Sequence, residues 1–185
     1  MKIRMIRHGM TTDNEMHRYS GASDSEISKH GAVDITSRAA TGYYGSYNGE
    51  KVYISSKVRA LETLKIIFPE ADYTVDARLD EMNFGVFEGK TYEELKSDKA
   101  YQTWISGDNL SNICPGGESF VQLRERVLEA WKKITDRGED AILITHNGPI
   151  VAIREIIEPD PALTFYDRSI KNGEMVVADL SENHH

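Results

Sequence analysis

The chain has 185 residues, with 22 basic and 30 acidic side chains and a formal net charge of −8. This length predicts a single domain, 1–185, with an ordinary hydrophobic core. The acidic balance argues against nucleic acid and against an anionic membrane surface as partners. At first sight it also argues against a small anionic ligand.

Cysteine content and hydropathy suggest where the protein works. The single cysteine, Cys114, excludes an internal disulfide and is typical of a reducing, cytoplasmic setting. No apolar run approaches about 18 residues, so the sequence predicts no membrane-spanning helix. The short, charged run 1–7 predicts a strand rather than a secretion signal. His184 and His185 have the look of a purification-tag remnant and carry no functional interpretation.

Short β-branched runs alternate along the chain with segments of helical periodicity. The predicted strands are 2–7, 51–55, 73–77, 140–145 and 174–179. The predicted helices are 58–67, 120–136, which opens with a capping box of Ser119 and Gln122, and 149–157, which opens with Pro149. This alternation predicts an α/β three-layer sandwich, with a mostly parallel central sheet and helices on both faces. The Gly- and Pro-rich stretch of about 84–118 contains no strong strand and is predicted to be a small insertion that caps the site.

Charged and imidazole side chains follow four of the predicted strands. They are Arg7, His8, Arg59, His146 and one of the adjacent acids Asp80 and Glu81. Each alone is also compatible with a solvated surface residue. Parallel sheets, however, bind ligands beyond the carboxyl ends of their strands, so these side chains are expected at one edge. The sequence by itself does not rank the two acids.

These residue types suit phosphoryl transfer. Two guanidinium groups grip phosphate oxygens through forked hydrogen bonds. A neutral imidazole attacks phosphorus, while a second imidazole and a helix N-terminus stabilise the oxygens. A protonated carboxylic acid donates to the departing alkoxide. The set predicts a reaction through a phosphohistidine, with no metal and no cofactor.

Six segments in the expected order resemble the histidine phosphatase superfamily, in its phosphoglycerate mutase-like branch. They are Arg7 to Asn14; Arg18 to Gly21 with Asp24 to Gly31; Ser55 to Thr63; Glu81 to Gly89; Pro115 to Ser119; and Thr145 with His146. The resemblance covers nearly the whole chain and implies a phosphoglycerate mutase-like fold.

The resemblance also implies a role for each site residue. His8 would be the phosphorylated nucleophile, and Glu81 rather than Asp80 would be the general acid and later the base for water. Phosphate-binding residues would be Arg7, Arg59 and His146, with secondary contacts from Asn14 and the backbone of Asn147. The substrate path would be lined by Ser20 and Gly21.

Two activities share this chemistry, and the cap favours one of them. The mutases of the family carry basic residues there that hold a carboxylate, whereas no Lys or Arg occurs between Lys99 and Arg124. Tyr92 stands where the mutase lysine would lie, and Phe84 replaces the mutase tyrosine. We therefore expect a hydrolase of a small phosphomonoester, with phosphoglycerate mutase as the alternative. The segment from Glu81 to Gly89 resembles small phosphatases such as the α-ribazole phosphatases.

Two other classes of function are less well supported. A catalytically inactive module that docks phosphorylated partners has no need of a general acid. A metal site of His8, Glu81 and His146 lacks the carboxylates of a two-metal hydrolase, and two arginines would repel a cation. The sequence leaves the physiological substrate and the oligomeric state open.

The cap supplies three aromatic residues, Tyr92, Tyr101 and Trp104. They are able to stack against an aromatic or sugar-containing leaving group. For at least two of the three, we expect packing within the cap instead.

Overall fold

The computed structural model describes residues 1–107 and 110–181, so the presumed tag residues His184 and His185 lie outside the described part. The strands are β1 (Lys2–Arg7), β2 (Lys51–Ile54), β3 (Tyr73–Val75), β4 (Ala141–Thr145) and β5 (Met175–Asp179). The helices are α1 (Thr12–Glu15), α2 (Lys29–Ala40), α3 (Val58–Ile67), α4 (Tyr92–Leu95), α5 (Lys99–Ile105), α6 (Phe120–Thr135), α7 (Asn147–Ile157) and α8 (Phe165–Arg168). All five predicted strands are present, and the predicted helices over 58–67 and 120–136 are confirmed.

The strands form one sheet in the order β3-β2-β4-β1-β5. The first four pair in parallel, and β5 runs antiparallel to β1 at the edge. The chain leaves β1 towards β2 and leaves β4 towards β5, so the two neighbouring strands send their connections in opposite directions. Such a switch point opens a crevice at the carboxyl edge of the sheet. The register of Arg7 opposite Thr145 brings both strands to an end at the same level.

Alternation along the strands divides the core between the two faces of the sheet. Ile3 and Met5 pack with α6, α7 and the cap on one face, whereas Ile6 packs with α2 and α3 on the other. Every residue of β4 is buried, as expected of a central strand covered on both sides. The predicted three-layer α/β architecture is therefore confirmed.

Two of the longer helices differ from the prediction, and the four-residue helices α1 and α8 were not predicted either. Helix α7 begins at Asn147, two residues before Pro149, because extended His146 serves as its N-cap and the proline is accommodated within the first turn. Helix α2 was not predicted, since its apolar face is narrow and only Gly31 and Ile35 are buried along it.

The stretch 84–118 contains a short 3₁₀ turn followed by α4 and α5. Its side chains Phe87, Tyr101 and Trp104 belong to the same core cluster as α6, so the cap is packed onto the main body. Within residues 1–107 and 110–181, no helix combines the length and the apolar character needed to cross a membrane.

The capping box of α6 gives a stability prediction. The Ser119 side chain accepts from the backbone N–H of Gln122, and the Gln122 side chain accepts in return from the Ser119 backbone. We expect Ser119→Ala to lower the free energy of unfolding by about 1 kcal/mol, measured by urea denaturation. Ser37→Ala, an exposed serine within α2, is the matched control and should change it by less than about 0.5 kcal/mol. Equal losses in the two variants would contradict the capping role.

Candidate active site

The parallel register places three side chains side by side at the carboxyl edge. The His8 backbone N–H donates to the Thr145 carbonyl at 2.9 Å, and that of Ser55 donates to the Ile144 carbonyl at 3.1 Å. His8, Ser55 and His146 therefore follow β1, β2 and β4 at one level. The order of strands, rather than proximity in sequence, brings these residues together.

His8 is held as a neutral imidazole with one nitrogen available. Its Nδ1 lies 2.7 Å from the Gly9 carbonyl oxygen, and because a carbonyl only accepts, Nδ1 carries the proton. The lone pair then belongs to Nε2. Burial, followed by the charges of Arg59 and Arg7, lowers the pKa of His8 well below its ordinary value. This form of imidazole is a nucleophile at neutral pH.

His146 is held in the opposite tautomer. Its Nδ1 accepts a hydrogen bond from Arg59 Nε at 3.3 Å, and its Nε2 lies 2.8 Å from the Ser55 hydroxyl. Because arginine only donates, the proton of neutral His146 lies on Nε2. The His8 and His146 ring centroids are 4.9 Å apart. Burial and the charges of His8 and Arg59 lower the pKa of His146 well below its ordinary value.

Arg59 is a fully buried cation held by neutral acceptors. Its Nη1 and Nη2 donate to the carbonyls of Ser23 and Gly21 at 2.7 and 2.9 Å, and its Nε donates to His146. Three of its five N–H groups are thereby used, which leaves one on each Nη for an anion. Burial lowers the Arg59 pKa and nearby Glu81 opposes that shift, although an arginine stays protonated throughout the ordinary pH range.

The loop that holds Arg59 is organised by Glu88. The Glu88 carboxylate accepts from the backbone N–H groups of Gly21, Ala22, Ser23 and Phe84 at 2.9 to 3.3 Å. Burial alone would raise the pKa of this carboxyl, but the N–H groups of Gly21, Ala22 and Phe84 hold it below its ordinary value. A Cβ at Gly21 would lie 1.6 Å from the Met82 carbonyl oxygen, so only glycine fits there.

Arg7 is positioned from the C-terminal side of the chain. Its Nη1 donates to the Ile170 carbonyl at 2.6 Å. The Asn147 side chain fixes that segment, since it accepts from the Ile170 N–H at 3.1 Å and donates to the Ser169 hydroxyl at 3.0 Å. Among the described residues, Arg7 Nε is buried without a hydrogen-bond partner. A buried, unpaired donor on a cation is suited to an anionic ligand.

Asn14 joins the same network. Its side-chain oxygen accepts from the Thr11 N–H at 3.1 Å and from Asn172 Nδ2 at 3.0 Å. Asn172 Nδ2 also lies 3.2 Å from the His8 carbonyl oxygen. Asn172 therefore links the Asn14 amide group to the backbone of His8.

The structure separates the two adjacent acids that the sequence left unranked. Glu81 accepts from the backbone N–H groups of Met82 at 2.9 Å and of Gly148, in the first turn of α7, at 3.2 Å. Asp80 instead accepts from the backbone and hydroxyl of Ser56 at 2.7 and 2.6 Å. Of these two acids, only Glu81 lines the cleft that also contains Arg7 and Asn147.

We call the cleft that contains Arg7, Glu81 and Asn147 the main cleft, and it has a volume of about 370 Å³. Of the residues predicted for the site, those that line it are Arg7, Asn14, Ser20, Glu81 and Asn147. The remaining four do not line it. His8, Gly21 and His146 are each adjacent in sequence to a lining residue, and Arg59 donates hydrogen bonds to Gly21 and His146. Across residues 1–107 and 110–181, no group of three His, Cys, Asp or Glu side chains is arranged to hold a metal ion.

Two of the three cap aromatics, Tyr101 and Trp104, belong to the buried core cluster, as packing within the cap predicts. Tyr101 is buried and its hydroxyl lies 2.7 Å from that of Tyr19, whereas Tyr92 is largely exposed and lies outside the main cleft. Trp104 lines that cleft.

Sequence reasoning missed three residues that organise the site, namely Ser55, Glu88 and Asn172. Ser55 and Glu88 lie within segments that carried the family resemblance, but their roles depend on contacts with His146 and the 21–23 loop. Asn172 reaches His8 from more than 160 positions along the chain, and no local pattern signals such a contact.

Comparison with known proteins identifies the family. The sequence profile of the histidine phosphatase superfamily (branch 1) matches residues 3–185, and the chain therefore belongs to that superfamily. It is 33% identical over 164 residues to a metal-independent phosphoserine phosphatase of Arabidopsis thaliana, covering 82% of this chain and 66% of that protein. It is 25% identical over 217 residues to a 2,3-bisphosphoglycerate-dependent phosphoglycerate mutase of Lactiplantibacillus plantarum, covering 98% and 94% of the two chains.

Other relatives differ more in length or in sequence. Mycobacterial proteins that match at 28% identity are longer, and the chain spans 42% of their length. The crystal structure of the α-ribazole phosphatase from Shigella flexneri superimposes with a TM-score of 0.87 at 21% identity, covering 98% of this chain and 92% of that one. At this identity the similarity establishes the shared fold.

The two buried histidines predict how stability depends on pH. Their pKa values are lower in the folded chain than in the unfolded chain, so the unfolded chain binds more protons between those values. The free energy of unfolding should therefore fall as pH drops below about 6.5, by up to about 1.4 kcal/mol per pH unit for each histidine.

Urea denaturation between pH 7.5 and 5.5 in phosphate-free buffer measures this slope. His8→Gln should flatten it, whereas His30→Gln, at an exposed position, should leave it nearly unchanged. An unaltered slope in His8→Gln would contradict the neutral, buried state of His8.

Proposed function

We propose that this protein is a metal-independent phosphomonoester hydrolase that acts on a small phosphorylated metabolite through a phosphohistidine on His8. The observation that carries the proposal is the neutral His8 ring, whose Nε2 lone pair is available beside two buried guanidinium groups. The free, buried thiol of Cys114 is in keeping with a cytoplasmic setting.

Substrate binding satisfies donors that the protein leaves unused. The phosphoryl oxygens take the unpaired Arg7 Nε and the two remaining Nη hydrogens of Arg59. Asn14 and the N-terminal backbone of α7 at Asn147 add further donors, and the helix dipole favours the negative charge there. His146 acts on the phosphoryl group through Arg59, whose Nε it holds in place.

The first half-reaction transfers the phosphoryl group to the enzyme. His8 Nε2 forms a bond to phosphorus while the bond from phosphorus to the ester oxygen breaks. The electron pair stays on that oxygen, which takes a proton from Glu81. The positive charge on the phosphorylated imidazole is stabilised by the Gly9 carbonyl that accepts from Nδ1. Glu81 must enter this step protonated, because it supplies that proton.

The second half-reaction releases inorganic phosphate. Water gives a proton to the Glu81 carboxylate as its oxygen attacks phosphorus, and the bond from phosphorus to Nε2 breaks with its electrons returning to the ring. The enzyme regains neutral His8 and protonated Glu81, so the cycle balances.

Hydrolysis is favoured over mutase activity by the charges in the cleft. The cationic side chains among its lining residues are Arg7 and Arg18, and Arg18 already lies 3.8 Å from Asp13. A mutase must hold a carboxylate while its substrate reorients. Since no lysine or arginine occurs between Lys99 and Arg124, this part of the cap has no cationic side chain to bind that carboxylate.

The first test is to trap the intermediate and to follow its products. With a phosphomonoester as substrate, alkali-quenched enzyme should carry on the His8 peptide a phosphate that is stable to base and labile to acid, and His8→Ala should lose both the label and turnover. Turnover should persist in the presence of a chelator. Full activity in His8→Ala, or restoration of chelated enzyme by Zn²⁺ or Mg²⁺, would overturn the mechanism. With 3-phosphoglycerate, isomerisation faster than phosphate release would identify a mutase instead.

The second test concerns the general acid. Glu81→Gln should lower kcat about 10²- to 10⁴-fold for an alkyl phosphate, whose leaving group needs a proton. The loss should be much smaller for 4-nitrophenyl phosphate in the phosphorylation step, measured as a pre-steady-state burst, because that leaving group departs as an anion. Asp80→Asn is the matched control at the adjacent acid and should retain the leaving-group behaviour of the native enzyme. Equal losses for both esters in Glu81→Gln would argue against the role.

A further inference from the structure

Six of the residues that line the main cleft are aromatic. Tyr19, Phe84 and Trp104 form one group in which ring centroids lie 5.0 to 6.1 Å apart. Phe120, Phe165 and Tyr166 form a second group, with centroids of successive rings 5.2 and 5.7 Å apart. We call these six residues the aromatic end of the cleft.

The two groups come from different parts of the fold. Tyr19 follows α1, and Phe84 and Trp104 belong to the cap, whereas Phe120 opens α6 and the other two rings belong to α8. Tyr166 is 83% exposed, which is unusual for so large a ring and leaves it free to contact a ligand. The cleft therefore has aromatic surface on elements of both the cap and the C-terminal segment.

Few polar groups are available at this end. The Tyr19 hydroxyl is already paired with that of Tyr101, and Arg18 lies close to Asp13. The indole N–H of Trp104 is buried and has no hydrogen-bond partner among the described residues. An unpaired buried donor beside aromatic surface is matched by an acceptor atom on a flat ligand.

Resting on the proposed hydrolase function, we propose that the substrates are phosphomonoesters of alcohols that carry an aromatic or heteroaromatic ring, and that this ring occupies the aromatic end of the cleft. The phosphate lies at Arg7, and the ring contacts the two aromatic groups. A volume of about 370 Å³ accommodates a ring and a short linker. A compact, charged leaving group such as serine or glycerate would leave this apolar surface uncovered.

The substrate test compares esters whose leaving alcohols have similar acidity. We expect kcat/KM for 2-phenylethyl phosphate to exceed that for 2-cyclohexylethyl phosphate about 3- to 10-fold, because stacked rings are favoured beyond their apolar area. It should exceed the values for phosphoserine and 3-phosphoglycerate by at least about tenfold. Hydrolysis of all four esters without these preferences would overturn the inference and leave the proposed function standing.

Variants connect the preference to particular rings. Tyr166→Ala removes an exposed ring without disturbing the core, and it should lower the ratio of kcat/KM for the phenyl ester to that for the cyclohexyl ester at least about threefold. Tyr73→Ala, an exposed tyrosine on the edge strand, should leave that ratio unchanged. An unchanged ratio in Tyr166→Ala and in Trp104→Phe would contradict the proposed location of the ring.

A binding measurement separates this inference from the catalytic proposal. The chain has two tryptophans, so in the double variant His8→Ala, Trp131→Phe the emission comes from Trp104 alone. Titration with 3-phenylpropylphosphonate, an uncleavable analogue, should shift that emission and bind at least about tenfold more tightly than propylphosphonate. If no phosphomonoester is cleaved but this binding is seen, the hydrolase proposal fails and the ring site stands. Equal binding of the two phosphonates would overturn the ring site.

Discussion

The site depends on keeping the positive charge of Arg59 inside the protein without a bonded carboxylate. Its guanidinium group is fully buried and rests on the carbonyls of Gly21 and Ser23 and on His146. Neutral acceptors orient the charge without cancelling it, so the remaining N–H groups keep their attraction for an anion. Burial, together with this charge, disfavours a proton on either histidine and lowers both pKa values well below the ordinary value.

The charge of the whole molecule and the charge of the site have opposite signs. The chain is acidic overall at −8, yet the site contains two arginines: Arg7 lines the cleft, and Arg59 is buried beside His146. Surface charges more than about 8–10 Å away are screened by salt, whereas buried groups in contact with a ligand are not. The negative net charge therefore argues against large polyanionic partners, but it does not argue against a single phosphate bound in the site. The acid that lines this cleft, Glu81, is the residue proposed to serve as general acid and base.

How much of this arrangement was predictable depends on the range of the interactions involved. The β-branched runs predicted where the strands end. Because β1 and β4 pair in parallel, Arg7, His8 and His146 then lie at one edge of the sheet, as expected. The residue types alone did not separate Asp80 from Glu81, although the family resemblance favoured Glu81. Their different surroundings are set by where Ser56 and the first turn of α7 lie, which only the structure shows. Contacts such as Glu88 with the 21–23 loop are made between distant segments and leave no period or local motif in the sequence.

The two ends of the cleft also impose an order on the proposed reaction. Glu81 and the rings line the same cleft, so an alcohol seated there covers the carboxylate that water must later use. Because His8 is only 4% exposed, water reaches the phosphohistidine chiefly through the space that the alcohol vacates. Dephosphorylation must then follow departure of the leaving group. An apolar ring, which makes few polar bonds to this end, is suited to leaving it once its bond to phosphorus has broken.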